Sequence, residues 1–288
     1  MTVPVRNEAP RLRQSILELR AAFERSGFDY QLSIAEDGST DGTKEVLRDL
    51  QRQIPDLLVQ EHPGSLGRGK ALRMLWSSID ANVYCFTDTD LAAGAEAMVA
   101  VARAVAGGED VVVGSRYAPG AVLNRPPVRS LISQAYNSLL RFTFEESIRD
   151  HQCGLKAFSA DAIRHLIPIS QEDSWFWDTE MIVLALNSGY TVTEMPVTWV
   201  ERKADRTHLR RLLSDVYLHG TGILRLKAHV LRLHRLIREG RAGPVRVAPP
   251  ASPSARSSLR TAIPIGIGGE ARRADPSASD GSHLSARP

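Results

Sequence analysis

The sequence predicts an α/β fold, a mainly parallel central sheet with helices on both faces, because strands and helices alternate through its first two thirds. Short apolar runs at Gln31–Ala35, Leu57–Val59, Val83–Phe86 and Val111–Val113 are strand-like. Helical stretches separate them: Leu12–Arg25, Lys44–Gln53, Lys70–Ile79 and Ala95–Ala106. Acid-bearing turns follow two of the strands, at the carboxyl edge where such sheets bind ligands.

At the start, Val3-Pro4-Val5 reads as the end of a strand. Either the first strand is short or the true start lies upstream of Met1. Nothing there resembles a signal peptide, and no apolar run reaches the ~20 residues needed to cross a bilayer. From about Arg125 to Glu201 the pattern is less regular. It holds a helix at Val128–Arg141, a Gln152-Cys153-Gly154 turn, a Trp-rich helix start at Trp175–Trp177 and a strand at Thr191–Val200. Thr207 to about Arg238 reads as helix, and after Arg241 the Pro, Ser, Ala, Gly and Arg content predicts a disordered tail. The expected division is a single domain over 1–210, a basic amphipathic helical segment over 211–240 and the tail over 241–288.

The bulk composition is that of an ordinary globular chain: 43% hydrophobic, 24% charged and a formal net charge of +3. So small an excess gives no reason to expect nucleic acid as a partner. Two cysteines, Cys85 and Cys153, make no disulfide framework and suit a reducing compartment.

Three segments carry chemistry. Phe86-Thr87-Asp88-Thr89-Asp90 ends a strand, where alternation can aim Asp88 and Asp90 the same way. Two such carboxylates can hold Mg²⁺ or Mn²⁺; the plainer reading is that Asp90 caps the next helix. Glu36-Asp37-Gly38-Ser39-Thr40-Asp41-Gly42-Thr43 follows the second strand. A capped turn explains Ser39 to Thr43 but leaves Glu36 and Asp37 over. Gly67-Arg68-Gly69-Lys70 opens a helix whose N-terminus, with Lys70, favours an anion. It has neither dinucleotide nor Walker spacing.

In this order the segments resemble the family 2 glycosyltransferases of the GT-A fold, from Val3-Pro4-Val5-Arg6-Asn7-Glu8 to about Arg210. Within that family the chain looks most similar to the dolichyl-phosphate mannose and glucose synthases. The supporting residues are Val113 to Tyr117, Arg129 with Ser133, Arg149 to Lys156, Phe176 to Glu180, and Pro196 to Trp199 with Glu201-Arg202. Gln152-Cys153-Gly154-Leu155-Lys156 is closer to the glucose-type branch. Glu36 departs from the family's usual Asp, and 202–208 matches the family's Gly-x-Ser-Lys ending only loosely.

The resemblance implies a catalytic set of Asp88, Asp90, Arg116 and Asp178. Pro4, Asn7 and Glu8 would line the nucleotide pocket, with Glu36 and Asp37 near base and ribose; Lys70 joins the donor side from its helix start. Asp88 and Asp90 would hold Mg²⁺ or Mn²⁺ on the diphosphate, and Arg116, Arg129, Ser133 and Arg202 the lipid phosphate. The implied reaction is inverting transfer of a hexose from UDP-glucose or GDP-mannose to a polyprenyl phosphate, peripherally at the cytoplasmic face of a membrane. Asp178 is a base by position, yet an ionised phosphate needs none, so orienting Arg or Lys suits it better. The apolar row Ile223, Leu226, Val230, Leu233 and Ile237, with Arg and Lys on other faces, suits an anionic bilayer interface or packing on the domain.

Trp175, Trp177 and Trp199 read as core residues, Cys153 as a small buried one, and His151 and His208 take no role. Other readings stand beside this one: transfer to a hydroxyl of a protein, glycan or metabolite, or a non-catalytic nucleotide-sugar-binding relative. A haloacid dehalogenase-type phosphatase carries its D-x-D on the first strand, whereas here it lies on the fourth and precedes Leu91-Ala92.

Overall fold

A computed structural model describes residues 1–200 and 209–239, with backbone alone for 209–219. Arg202 and the tail 241–288 lie outside the described residues. The order is β1 Thr2–Val5, α1 Ala9–Ser26, β2 Ser33–Glu36, α2 Thr43–Gln53, β3 Leu58–Glu61, α3 Arg68–Ser77, β4 Val83–Thr87, α4 Ala95–Ala106 and β5 Val111–Ser115. Then come β6 Val122–Asn124, α5 Pro127–Phe144, β7 Leu155–Ser159, α6 Ala160–Ile169, α7 Trp177–Asn187, β8 Val192–Pro196, β9 Thr198–Val200 and α8 Leu209–Arg238.

Seven strands form the main sheet in the order β3-β2-β1-β4-β7-β5-β8; β6 and β9 pair separately. The expected parallel character holds except at β7, which runs antiparallel between β4 and β5. Successive strand residues alternate between two cores. Cys85 and Val112 join a cluster with Leu12, Ile16, Leu47 and Met98 on the α1, α2 and α4 face. Tyr84, Phe86, Val111 and Val113 join Leu72, Trp76, Leu166 and Met181 on the α3, α6 and α7 face. Helices therefore cover both faces, as the alternation required.

The N-terminal strand is short, and Pro4 explains its uneven pairing. β1 matches β2 over Thr2 to Val5 but meets β4 only at Thr2↔Phe86. Pro4 has no N–H to offer, and its carbonyl accepts the Thr89 hydroxyl at 3.2 Å. The single strand expected at Thr191–Val200 is two, β8 and β9, divided after Pro196.

The apolar row of α8 packs inward. Ile223, Leu226 and Val230 are buried in the second core, with Leu233 against it. Lys227 Nζ donates to the Thr143 carbonyl of α5 at 2.7 Å. Of the two ways to satisfy that row, packing on the domain is the one seen for these residues. An exposed apolar row occurs on α5 instead, where Val128, Leu131, Leu139 and Phe142 fall on one helical face and Phe142 is 84% exposed. Among the described residues no helix is long and apolar enough to cross a membrane.

Candidate active site

The acids Asp88 and Asp90 stand just beyond the carboxyl end of β4, which stops at Thr87. Strand alternation is therefore not what sets them; a tight turn is. Leu91 N donates to the Asp88 carbonyl at 3.1 Å, and Leu91 takes φ 47°. Asp90 Oδ1 accepts the Ala92 amide at 3.2 Å, while α4 has Gly94 at its N-cap. Asp90 thus caps its own turn rather than the helix.

Asp88 is backed by the chain leading into β7. Its amide donates to the Gly154 carbonyl at 3.0 Å. A Cβ on residue 154 would stand 1.9 Å from Asp88 Oδ2, so only glycine leaves room for this carboxylate. Desolvation and the nearby charges of Asp178 and Asp90 push the Asp88 carboxyl upward against the pull of Arg68.

Arg68 is the residue that sequence reasoning passed over. It is buried, with Nη1 2.6 Å from Asp178 Oδ2 and Nη2 3.0 Å from Asp88 Oδ1. Phe86 and Trp175 face its guanidinium at 4.9 and 4.5 Å. The signal for it in the sequence is one arginine between two glycines at a helix start. Lys156, wholly buried, donates to the Cys153 carbonyl at 2.6 Å and sits 3.7 Å from Asp178 Oδ2. Asp178 is thus flanked by two cations.

The glycines around Arg68 serve packing. A Cβ on Gly67 would lie 2.3 Å from the Asp173 carbonyl oxygen, and one on Gly69 would lie 2.5 Å from the Trp177 Cβ. The Lys70 amide donates to the Asp173 carbonyl at 3.2 Å. That helix N-terminus is closed in part by backbone, which corrects its reading as an open anion site; the half-buried Lys70 side chain is a separate matter.

At the end of β2, Asp37 holds the loop before α3. It accepts the Ser65 hydroxyl at 2.9 Å and the amides of Leu66 and Gly67 at 2.5 and 3.1 Å. Glu36, fully buried, accepts the Ser39 amide at 2.5 Å and lies 3.7 Å from Lys44 Nζ. Asn7, at φ 55°, accepts the Thr40 amide at 2.8 Å. The Glu8 amide donates to Thr43 Oγ1 at 2.9 Å, and its carboxylate pairs with Arg11 at 3.0 Å. Pro4, Asn7, Glu8, Glu36 and Asp37 are therefore gathered at the ends of β1 and β2.

On the other side, Arg116 is committed to Asp150. Nε and Nη2 meet the two carboxylate oxygens at 2.7 and 2.8 Å, and the Arg116 amide adds a third bond at 2.9 Å. Burial pushes the Asp150 carboxyl up, but the Arg116 charge and hydrogen bonds outweigh it and hold it below its ordinary value. A guanidinium so engaged, lying over Trp199 at 5.1 Å, is suited to fixing the loop after β5. Ser133 on α5 accepts from Arg125 Nη1 at 3.0 Å, and Arg129 is half-buried one turn earlier. Tyr136, also on α5, shares a 3.0 Å hydrogen bond with Thr179 beside Asp178.

Of the tryptophans, Trp177 is buried and Trp199 packs against the first core, but Trp175 is 63% exposed at the Arg68 end of the site. Its expected core role is corrected: it precedes α7 and covers a guanidinium. Cys153 is a buried small residue whose thiol burial pushes up to about 12. His151 is tied to Asn137 at 3.1 Å and stands 3.3 Å from Glu146.

Among the described residues no group of three His, Cys, Asp or Glu could hold a metal ion. Mg²⁺-type sites on nucleotides commonly take one or two carboxylates and draw their other oxygens from phosphate and water. Asp88 and Asp90, crowded acids at an open strand end, fit that kind of site. A cavity of about 530 Å³ opens at the opposite edge of the sheet, lined by Met1, Gln31, Asn82 and Tyr84 among others, away from these acids.

Comparison with known proteins agrees with this arrangement. The family model described as glycosyl transferase family 2 matches residues 2–167. Glycosyltransferase AglD of Haloferax volcanii is 36% identical over 197 residues, covering 68% of this chain and 31% of that protein. Dolichyl-phosphate beta-glucosyltransferase ALG5A of Trichomonas vaginalis is 26% identical over 211 residues, 70% of this chain and 65% of that one. Polyprenol monophosphomannose synthase of Mycolicibacterium smegmatis is 29% identical over 177 residues, 59% and 66% respectively. The chain thus spans less than two thirds of the length of each of these relatives. Glucosyl-3-phosphoglycerate synthase from Mycobacterium tuberculosis, crystallised with UDP, superposes with a TM-score of 0.61 at 16% identity over 79% of each chain. Mannosyl-3-phosphoglycerate synthase from Rubrobacter xylanophilus gives 0.55 at 19%, covering 88% of this chain and 78% of that one. Such likeness is one of fold, the GT-A type. With its acids at the carboxyl edge of that sheet and the family model running from β1 into α6, this chain belongs to glycosyl transferase family 2.

Proposed function

We propose that this chain transfers a hexose from a nucleotide-sugar to a polyprenyl phosphate, with inversion and with a divalent cation. The observation that carries the reading is the pairing of two unlike halves. Acids Asp88 and Asp90 after β4 would serve a donor diphosphate, while Arg129 and Ser133 on α5, with Arg125 just before it, would take a phosphate. Names of relatives support it: dolichyl-phosphate beta-glucosyltransferase and polyprenol monophosphomannose synthase. Glucosyl-3-phosphoglycerate synthase from Mycobacterium tuberculosis, a fold neighbour crystallised with Mn²⁺ and UDP, supports the cation and the nucleotide.

A phosphate acceptor is ionised near neutral pH and attacks without a general base. The chain's work is to align two anions and offset their repulsion. Asp88 and Asp90 would hold Mg²⁺ or Mn²⁺, which when bound supplies charge neutralisation for the leaving nucleoside diphosphate. Pro4, Asn7, Glu8, Glu36, Asp37 and Lys70 form the nucleotide side. Arg129 and Ser133 receive the acceptor phosphate, with Arg202 as a further candidate. Arg116, spent on Asp150, positions the loop after β5. Asp178 orients Arg68 and Lys156. We infer peripheral work at the cytoplasmic face of a membrane, and the exposed apolar row of α5, the helix carrying Arg129 and Ser133, supports that placement.

A second reading sends the sugar to a hydroxyl. Asp178 Oδ1 is buried without a hydrogen-bond partner and could take a proton, and the fold neighbours are named for phosphoglycerate products. Purified protein with Mn²⁺ or Mg²⁺, radiolabelled nucleotide-sugars, and a polyprenyl phosphate together with 3-phosphoglycerate as competing acceptors separates the two. Label should enter the organic phase only with both cation and lipid. Label confined to water with every donor, but joined to phosphoglycerate, would replace the first reading by the second.

A further inference from the structure

Arg68 makes two contacts of unequal quality. Nη1 donates a hydrogen bond of 2.6 Å to Asp178. Nη2 lies 3.0 Å from Asp88 Oδ1, yet it forms no hydrogen bond there. Nε is likewise buried and without a partner. A buried guanidinium ordinarily satisfies its donors; this one is anchored at one end and unsatisfied at the other. Phe86 and Trp175 lie 4.9 and 4.5 Å from its Cζ, so a turn about the Asp178 bond leaves the cation beside two aromatic rings. Lys156 keeps a positive charge beside Asp178 whichever way Arg68 turns.

We propose that Arg68 is a built-in counter-ion that occupies the cation's place at Asp88 until the donor arrives, then turns its unpaired nitrogens to the donor's diphosphate. The inference rests on the reading that Asp88 and Asp90 hold a divalent cation. A guanidinium and a divalent cation on one carboxylate repel each other, so each weakens the other there. Phosphate oxygens offer the two unsatisfied nitrogens the planar, bidentate partner that arginine suits. The arrangement makes metal binding depend on nucleotide: cation alone must displace Arg68 without compensation, whereas cation with diphosphate gives Arg68 somewhere to go. Arg68 is thus a positioning residue that couples the two ligands.

Mn²⁺ titration of the full chain, followed by the paramagnetic resonance of free Mn²⁺ with and without UDP, reads this directly. Arg68→Met should bind Mn²⁺ alone about tenfold more tightly than the unaltered chain, and UDP at saturating Mn²⁺ about tenfold more weakly. Arg68→Lys, whose single ammonium cannot span Asp178 and Asp88, should shift both in the same directions by about threefold, and it decides the matter if the methionine variant does not fold. Mn²⁺ affinity without nucleotide that is unchanged or weaker in the folded variants overturns the counter-ion role, while Mn²⁺–UDP binding leaves the metal reading intact. Absence of Mn²⁺ binding in the unaltered chain, even with UDP, overturns both.

Discussion

Gly154 shows how much one hydrogen atom can decide. Its missing Cβ is the space that Asp88 Oδ2 fills, and its carbonyl receives the Asp88 amide. Gly154→Ala should turn the carboxylate away and lower kcat/KM about 100-fold, the usual scale for a misplacement near 1 Å. The double variant Gly154→Ala/Asp88→Ala should be no worse than Asp88→Ala alone, because both act through one group. Additive losses would refute the steric account. At this scale the sequence was legible where residue type speaks for itself: paired acids after an apolar strand. Arg68 and Asp150 were not legible as partners, since Asp178 and Arg116 lie 110 and 34 residues away from them. Spacing cannot show a contact closed through the sheet.

Elements were legible in proportion to their periodicity. α4 was read to its terminal residues, and α1 to α3 to within three at each end. β7 was missed because Leu155-Lys156-Ala157-Phe158 has a charge where a central strand expects an apolar residue. Lys156 is tolerated there through the Cys153 carbonyl and Asp178. α5 is the opposite case: the helix is legible in the sequence, but periodicity alone does not show that its apolar face is left exposed. If the acceptor comes from a bilayer, Leu131→Asp with Phe142→Asp should cut co-sedimentation with anionic vesicles by about tenfold or more. Stability should hold within about 0.5 kcal/mol, since both side chains are exposed. Unchanged sedimentation would place the lipid contact elsewhere.

Across the whole molecule, stability should carry a mark of Glu180. Burial pushes its carboxyl up to about 7, against the amides of Gln171 and Glu172 that it accepts at 2.8 and 3.0 Å. A proton bound more tightly in the folded chain stabilises it fully below the ordinary value of 4.5, and that contribution disappears as pH rises through about 7. The window corresponds to on the order of 3 kcal/mol at most. Thermal melts from pH 4 to 8 should therefore show the unaltered chain losing stability relative to Glu180→Gln; a difference that stays flat would remove Glu180 as the cause. The antiparallel β7 has a consequence in time as well. Ribosomes deliver β1 to β4 long before residue 154, and until then β4 is an open sheet edge and the Asp88 amide lacks its acceptor. The turn that carries Asp88 is therefore finished only after α5 has been made, so under the proposed function a nascent chain would complete its cation-holding turn only once it owns the helix proposed to receive the acceptor.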